Sequence, residues 1–491
     1  MRYDLVVIGS GPAGQRGSIA AAKMGKRVAL VERRKSDLGG VCLHTGTIPS
    51  KTMREAILHL TGFRHRNIYK DKFVEKRQIT MDDLRRKLDH VIHHEHQMIR
   101  EYLNRNEIDF FSGEANFVNP NTVAICSEGQ CSLLEADNIL LATGTKPARP
   151  AHIPFDGETI FDSDELLKLD KIPRSMIVIG AGVIGMEYAL MFATLGVEVT
   201  VVDGRERLLD FCDREIVDTL MFHARSLGMM FRLGEDVVGI DRLRNRLVAV
   251  RLESGKRLIA EAALFAVGRV GDTESLNLEA AGLKCDERGK IWCDENHRTW
   301  APHIYGAGDV IGFPALASAS MEQGRRAVSA IFGKPFAAAK HLPYGLYTIP
   351  EISMIGKSEQ QLTAERVPYE VGVAHFREIV RGQIVGDENG MLKLLFHRET
   401  RQILGVHIIG ETATEIIHIG QTVMALGGTI DFFRDNVFNY PTMSEAYKVA
   451  AFNGLNKLNL EFMLDETAAP KEEMILEEIG ELTELCAAGT M

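Results

Sequence analysis

Long apolar runs are missing from this chain of 491 residues: none reaches the roughly 20 residues that span a bilayer. That argues against a membrane protein. The N-terminal apolar stretch Leu5-Val6-Val7-Ile8 ends at a glycine-rich loop and is too short for a signal-peptide core. Basic blocks are missing too. The net charge is −10 and no aromatic-basic interleaving occurs, so the electrostatic footprint of a nucleic-acid partner is absent. Cysteine is sparse and odd in number: Cys42, Cys126, Cys131, Cys212, Cys285, Cys293 and Cys486 lie scattered. No framework of structural disulfides is suggested, which points to a reducing, cytoplasmic setting. Cys126 and Cys131 flank Ser127-Glu128-Gly129-Gln130, which reads as a hairpin turn rather than part of a redox pair. What remains is ordinary globular material, 45% hydrophobic and long enough for about three domains.

The chain opens with an apolar strand, a glycine turn, a small-residue helix and a second strand from Arg27 to Val31, a βαβ beginning. The same grammar returns from Ser175, with strand Met176–Ile179, a helix through Leu195 and strand Glu198–Val202. Two dinucleotide-binding folds are therefore expected in one α/β chain. Residues 53–105 are polar and helical in pattern, with a long helix predicted over Met81 to Leu103. From Tyr347, strands Lys393–Phe396 and Ile403–Ile409 alternate with helices Glu415–Leu426 and Ser444–Leu455, an α+β pattern. The tail beyond Glu461 is rich in carboxylates and reads as a solvated appendage, although Met474, Ile475, Ile479, Leu482 and Leu485 could share one helical face.

Both glycine turns have the dinucleotide spacing. In the first, Gly9 permits the tight turn, Gly11 lets the backbone approach a pyrophosphate, and Gly14 allows close helix–strand packing, with Pro12 and Ala13 between them. The helix N-terminus offers N–H groups to phosphate, and Glu32 closes the next strand, where a carboxylate accepts from ribose hydroxyls. In the second, Gly180, Gly182, Val183 and Gly185 repeat the pattern, and Asp203 ends the following strand. An acid there suits the free ribose of NAD, whereas Arg205 and Arg207 just after it suit the 2′-phosphate of NADP. Two readings stand open at these arginines: solvated loop charges, or a site that admits both nucleotides.

The segment Gly39-Gly40-Val41-Cys42-Leu43-His44-Thr45-Gly46-Thr47-Ile48-Pro49-Ser50-Lys51 resembles the active-site segment of the flavoprotein disulfide reductases, whose pattern is Cys-x4-Cys followed by Ile-Pro-Ser-Lys. Here Thr47 stands at the second cysteine, as in the transhydrogenase branch of that family. One thiol cannot close a disulfide, so a dithiol relay is excluded at this place. A second departure agrees. The family's C-terminal His-Pro-x-x-x-Glu is here Tyr440-Pro441-Thr442-Met443-Ser444-Glu445, after Asn439, and a tyrosine with pKa about 10 is a poor base near neutrality.

The resemblance covers residues 1 to about 458 and implies an architecture: two Rossmann-like domains, for FAD and NAD(P), plus a C-terminal α+β dimerisation domain. The expected boundaries are 1–150 and 271–344 for the FAD domain, 151–270 for NAD(P), 345–460 for dimerisation and 461–491 for the tail. It implies FAD held by the first fingerprint, by Arg33, Gly40, Val41 and Cys42, by the strand end Ala142-Thr143-Gly144, and by Gly308 and Asp309, whose carboxylate holds the ribityl chain; Gly268 and Arg269 are also expected to bind cofactor. It implies a Lys51–Glu187 pair beside the flavin, and a homodimer or higher homo-oligomer in which residues from about 345 to 460 meet. The activity implied is hydride transfer between NADPH and NAD, both substrates at one site, with Val183 slim enough to leave the nicotinamide face open. Rival readings are an NAD(P)H oxidase or quinone reductase, a lipoamide-type reductase that has lost its disulfide, and a non-catalytic flavin-binding scaffold docking through its tail. No metal is expected: in the stretch holding His90, His93, His94 and His96, only His90 and His94 share a helix face, no third ligand is evident among the charged surroundings, and the segment reads as solvated helix.

Overall fold

The computed structural model describes residues 1–63, 79–336 and 340–466. The acidic tail, with its possible helical stripe, lies outside them beyond Glu466. The chain forms two compact units: residues 1–211 with 217–350, and residues 212–216 with those from 351 onward.

In the first unit, strand β1 (Arg2–Ile8) leads through the glycine turn to helix α1 (Pro12–Lys23) and strand β2 (Val28–Glu32). Helix α2 (Thr47–Leu60) and the long helix α3 (Met81–Arg105) follow. Thr47–Ser50 form the first turn of α2, which carries Lys51. Pro49 is its third residue, where the proline's missing N–H is no loss. The start of α3 is fixed by a capping box, in which Thr80 and Asp83 satisfy each other's backbone amides. Strands β3 (Asp109–Ser112), β4 (Glu114–Asn119), β5 (Thr122–Ser127) and β6 (Gln130–Leu141) complete a sheet of order β3-β2-β1-β6-β5-β4. The inner half of β6 runs parallel to β1, Arg2 opposite Glu135 and Ile8 opposite Leu141, and its outer half runs antiparallel to β5.

That hairpin corrects one expectation. Glu128 and Gly129 take positive φ, which matches the right-handed twist of the strands they join, and Cys126 faces Cys131 in register. The two are disulfide-bonded, at a Cα–Cα distance of 4.1 Å. The hairpin was legible, but the bond depends on the cross-strand register that brings both side chains to one face.

The second βαβ unit is strand β7 (Ser175–Ile179), helix α4 (Val183–Thr194) and strand β8 (Glu198–Asp203). With β9 (Met230–Leu233) and β10 (Ala262–Phe265) they form a parallel sheet of order β9-β8-β7-β10, which Ile160–Phe161 extends. The chain then returns to the first sheet. Strand β11 (Ile304–Gly306) pairs with the inner half of β6, and helix α5 (Ala317–Ile331) lies against α1 so closely that a Cβ on Gly324 would meet the Ala13 carbonyl oxygen at 2.2 Å.

The second unit holds antiparallel strands β12 (Ile352–Gly356), β13 (Tyr369–His375), β14 (Met391–His397) and β15 (Ile403–Ile409), with β15 between β12 and β14. Helices α6 (Ala413–Ala425) and α7 (Glu445–Glu466) cover it, so the last helix runs past the expected boundary at 460. Phe376, Leu394, Phe396, Ile408, Phe433 and Tyr447 share its core. Lys393, only 1% exposed, interrupts this apolar strand for a reason. Its ammonium lies 3.0 Å from both Asp213 and Glu215 and reaches Glu359, beside buried His407. Those three carboxylates are the one cluster among the described residues that could hold a metal ion, and the Lys393 ammonium already occupies the place between them. His90, His93 and His94 are exposed on α3.

Candidate functional site

The first cradle forms where β1, β6 and β11 end together. Gly9 has φ 103° and no room for a side chain, since a Cβ would lie 2.3 Å from the Ala142 carbonyl oxygen. A Cβ on Gly14 would meet the Gly9 carbonyl oxygen at 1.9 Å, which is why the helix sits so close to the strand. A Cβ on Gly11 would meet nothing within 4 Å. The middle glycine therefore faces open space at the N-terminus of α1, the shape a pyrophosphate requires. A Cβ on Gly40, at φ 64°, would meet the Gly11 Cα at 3.0 Å, so the backbone just before Val41 and Cys42 packs closely on the fingerprint.

Around this cradle the polar groups are unevenly used. Glu32 accepts from the Ser10 amide (3.0 Å) and hydroxyl (2.6 Å), and the same hydroxyl accepts from the Gly39 amide. Ser10 thus ties the fingerprint to the Gly39–Lys51 segment. Arg33 turns to Asp272 at 3.0 Å. Thr143 Oγ1 is buried without a hydrogen-bond partner in the described structure. Asp309 receives only long contacts, 3.5 Å from Thr145 and 3.4 Å from Ser320. Desolvation raises its carboxyl pKa, and the Arg269 guanidinium works against that. An open glycine, an orphaned hydroxyl and an under-bonded carboxylate at three strand ends fit a bound dinucleotide that supplies the missing partners.

The second cradle repeats the packing at Gly180 and Gly185, where Cβ atoms would meet carbonyl oxygens at 2.6 and 1.9 Å. Gly182 differs from its counterpart, because the Arg205 guanidinium reaches to 4.0 Å from where its Cβ would stand. Asp203 accepts four hydrogen bonds: from the amides of Ala181 (2.6 Å) and Arg205 (2.8 Å), and from Arg205 Nε (3.0 Å) and Nη2 (2.9 Å). Burial alone would raise this carboxyl, but the Arg205 guanidinium and the two amides more than offset it and hold it below the usual range. Val183 is half-buried at the start of α4, and Arg207 is exposed.

Between the cradles, Lys51 and Glu187 meet. Lys51 Nζ lies 2.5 Å from Glu187 Oε2, the carboxylate side chain 6% exposed and the lysine 24%. Helices α2 and α4 deliver them from positions far apart in the chain. Glu187 Oε1 accepts from the Tyr347 amide at 2.8 Å, and the Tyr347 ring lies 5.1 Å below the ammonium. Cys42 is a free thiol with the Thr47 hydroxyl hydrogen-bonded against it. Burial raises its pKa, with Thr47 and Lys51 only partly compensating, so it is protonated and weakly nucleophilic at neutral pH.

Three contributors were not anticipated from sequence. Tyr347 is one. Asp164 is another: it accepts from Thr45 at 3.1 Å and pairs with Arg269 at 3.3 Å, linking the Cys42 segment to Gly268-Arg269. The third is Thr145, which accepts from Arg269 Nε at 2.9 Å and itself faces Asp309. None carries a motif, since each acts through contacts distant in sequence. Tyr440 and Glu445 belong to the second unit, where Tyr440 is 66% exposed and Glu445 Oε2 is buried without a partner in the described structure.

Comparison with known proteins matches these features to one lineage. Residues 3–324 match the pyridine nucleotide-disulphide oxidoreductase model, and residues 342–451 match that family's dimerisation domain. The soluble pyridine nucleotide transhydrogenase of Mycobacterium bovis is 50% identical over 459 residues, covering 93% of this chain and 98% of the relative. That of Pectobacterium atrosepticum is 46% identical over 462 residues, covering 93% and 98%. Among solved structures, the HOCl-induced flavoprotein disulfide reductase RclA of Escherichia coli, as its Cu(II) complex, superposes with TM-score 0.84 at 28% identity, covering 92% of this chain and 99% of the other. With two glycine cradles, an ion pair between them and matches to both family models, the chain belongs to the pyridine nucleotide-disulphide oxidoreductase family.

Proposed function

We propose that the protein is an FAD-dependent transhydrogenase carrying out NADPH + NAD⁺ → NADP⁺ + NADH, reversibly and by a ping-pong sequence, without a redox disulfide at the flavin. The observation that carries this reading is the Cys42–Thr47 arrangement, a protonated thiol capped by a hydroxyl where a dithiol relay would stand, beside an intact Lys51–Glu187 pair. FAD, when bound, supplies a two-electron hydride acceptor that returns the hydride unchanged. Gly11, Thr143 and Asp309 would hold it through pyrophosphate, polar and ribityl contacts. Lys51 would place positive charge beside the isoalloxazine, and Glu187 would keep that charge oriented.

The second cradle would take both nicotinamide nucleotides in turn. Asp203 would receive the ribose hydroxyls of NAD. Arg205 would leave the carboxylate to meet the 2′-phosphate of NADP. No net proton changes hands, so no general base is needed, consistent with Tyr440 in place of a histidine. We read the protein as a cytoplasmic homodimer; in support, residues 342–451 match a dimerisation domain and the relatives named above are called soluble transhydrogenases. Purified protein mixed under argon with NADPH and a chromophoric NAD analogue should reduce the analogue. Absence of that reaction, with brisk oxygen consumption in air, would establish an oxidase instead.

A further inference from the structure

We propose that Tyr347 is the positioning residue of the Lys51–Glu187 pair, holding the carboxylate with its backbone and the ammonium with its ring. The proposal rests on the reading that Lys51 serves a bound flavin.

Two contacts converge on this residue, and a third fixes its neighbour. Its amide donates to Glu187 Oε1, leaving Oε2 for Lys51. Each oxygen therefore has its own donor, and the carboxylate cannot rotate without losing one. Its ring lies 5.1 Å from Lys51 Nζ, within the range of a cation–π contact. Its own place is fixed from the helix that carries Lys51. Arg54, one helical turn further along α2 and only 2% exposed, donates Nε to the Thr348 carbonyl at 3.0 Å. The path from Lys51 along α2 to Arg54, across to Thr348 and Tyr347, on to Glu187 and back is closed.

Exposure shows what the loop accomplishes. The lysine side chain is 24% accessible and the glutamate 6%, so the pair presents its cationic member to the open side. A lysine is a flexible, strongly hydrated point charge, and one left at 24% exposure samples rotamers and water. An aromatic face removes water from one side of the ammonium without neutralising it. The charge is thereby kept effective, because a dry contact is screened less than a wet one. A phenol hydroxyl is not needed for this; a ring and a backbone N–H are.

The test compares Tyr347→Phe with the ring-less Tyr347→Leu and Tyr347→Met, so that one folded ring-less variant suffices. Two properties are read: the midpoint potential of the bound flavin, and acylation of Lys51 in the apoprotein by an amine-reactive ester, followed by peptide mass spectrometry. The ring-less variants should show a lower potential and Lys51 acylation roughly three- to tenfold faster, the range a partly exposed cation–π contact allows. Tyr347→Phe should restore both. Ring-less variants that fold and keep wild-type potential and labelling would overturn the proposal, whatever their turnover. The labelling arm uses no flavin and no nucleotide. Failure of the transhydrogenase reading would leave that result intact, and failure of this proposal would leave transhydrogenation intact.

Discussion

Replacing Arg205 by alanine should separate the two nicotinamide substrates. In the structure the guanidinium is committed to Asp203 through two hydrogen bonds of 3.0 and 2.9 Å, yet its side chain is 46% exposed. The arginine end of the bridge is open to solvent although Asp203 is only 9% exposed, so the bridge contributes about 1 kcal/mol and the arginine can leave at modest cost. A charge-assisted bond to a 2′-phosphate is worth about 1.5–3 kcal/mol. The difference, roughly 1–2 kcal/mol, corresponds to a five- to thirtyfold higher KM for NADPH in R205A. NADH has no such phosphate, and in the variant it finds an Asp203 that no longer has to exchange partners, so its KM should stay level or fall. Initial rates with each reduced nucleotide and one artificial acceptor measure both constants. An equal rise for NADPH and NADH would show that Arg205 only shapes the loop and would refute the exchange.

Cys42→Ser should retain transhydrogenation, and Cys42 in the native protein should react slowly with iodoacetamide at neutral pH, its rate still climbing above pH 9, because burial raises the thiol. A plateau reached below pH 8 would contradict this. Lys393→Met should destabilise the protein by about 3–5 kcal/mol, because Asp213, 1% exposed, is left as an uncompensated charge, and Asp213→Asn in the same chain should recover part of the loss in a denaturant titration. His297 is 6% exposed, and burial, aided by Arg326, lowers its pKa to about 4. The unfolded chain then takes up its proton first, so this stability is complete above about pH 6.5 and is lost as pH falls towards 4, about 3 kcal/mol in all. His297→Asn, which tolerates the φ of 65° there, should flatten the thermal-midpoint profile between those pH values. An unchanged slope would place the acid sensitivity elsewhere.

What could be read beforehand was what lies close in sequence. Glycine spacing and the acid closing the next strand located both cradles, because turn, helix N-terminus and ribose ligand fall within one βαβ unit. Whatever depends on tertiary register stayed hidden. The Cys126–Cys131 bond needs the facing positions of β5 and β6, which a turn alone does not reveal. Tyr347 meets Glu187 across 160 residues. Lys393 did leave a signal, a lone charge in the apolar run Met391–Phe396, and a strand buried on both faces keeps such a charge only with partners.

The central claim, hydride passage between nicotinamides without a thiol, is met most directly by the second half-reaction. Enzyme taken up with one equivalent of NADPH under argon is mixed in a stopped-flow cell with NAD⁺, lipoamide or aerated buffer, for the native chain and for Cys42→Ser. The account expects NAD⁺ to restore the flavin absorbance fastest in both proteins, with stoichiometric NADH formed. Recovery with lipoamide or oxygen but not with NAD⁺, or recovery abolished in Cys42→Ser, would contradict it.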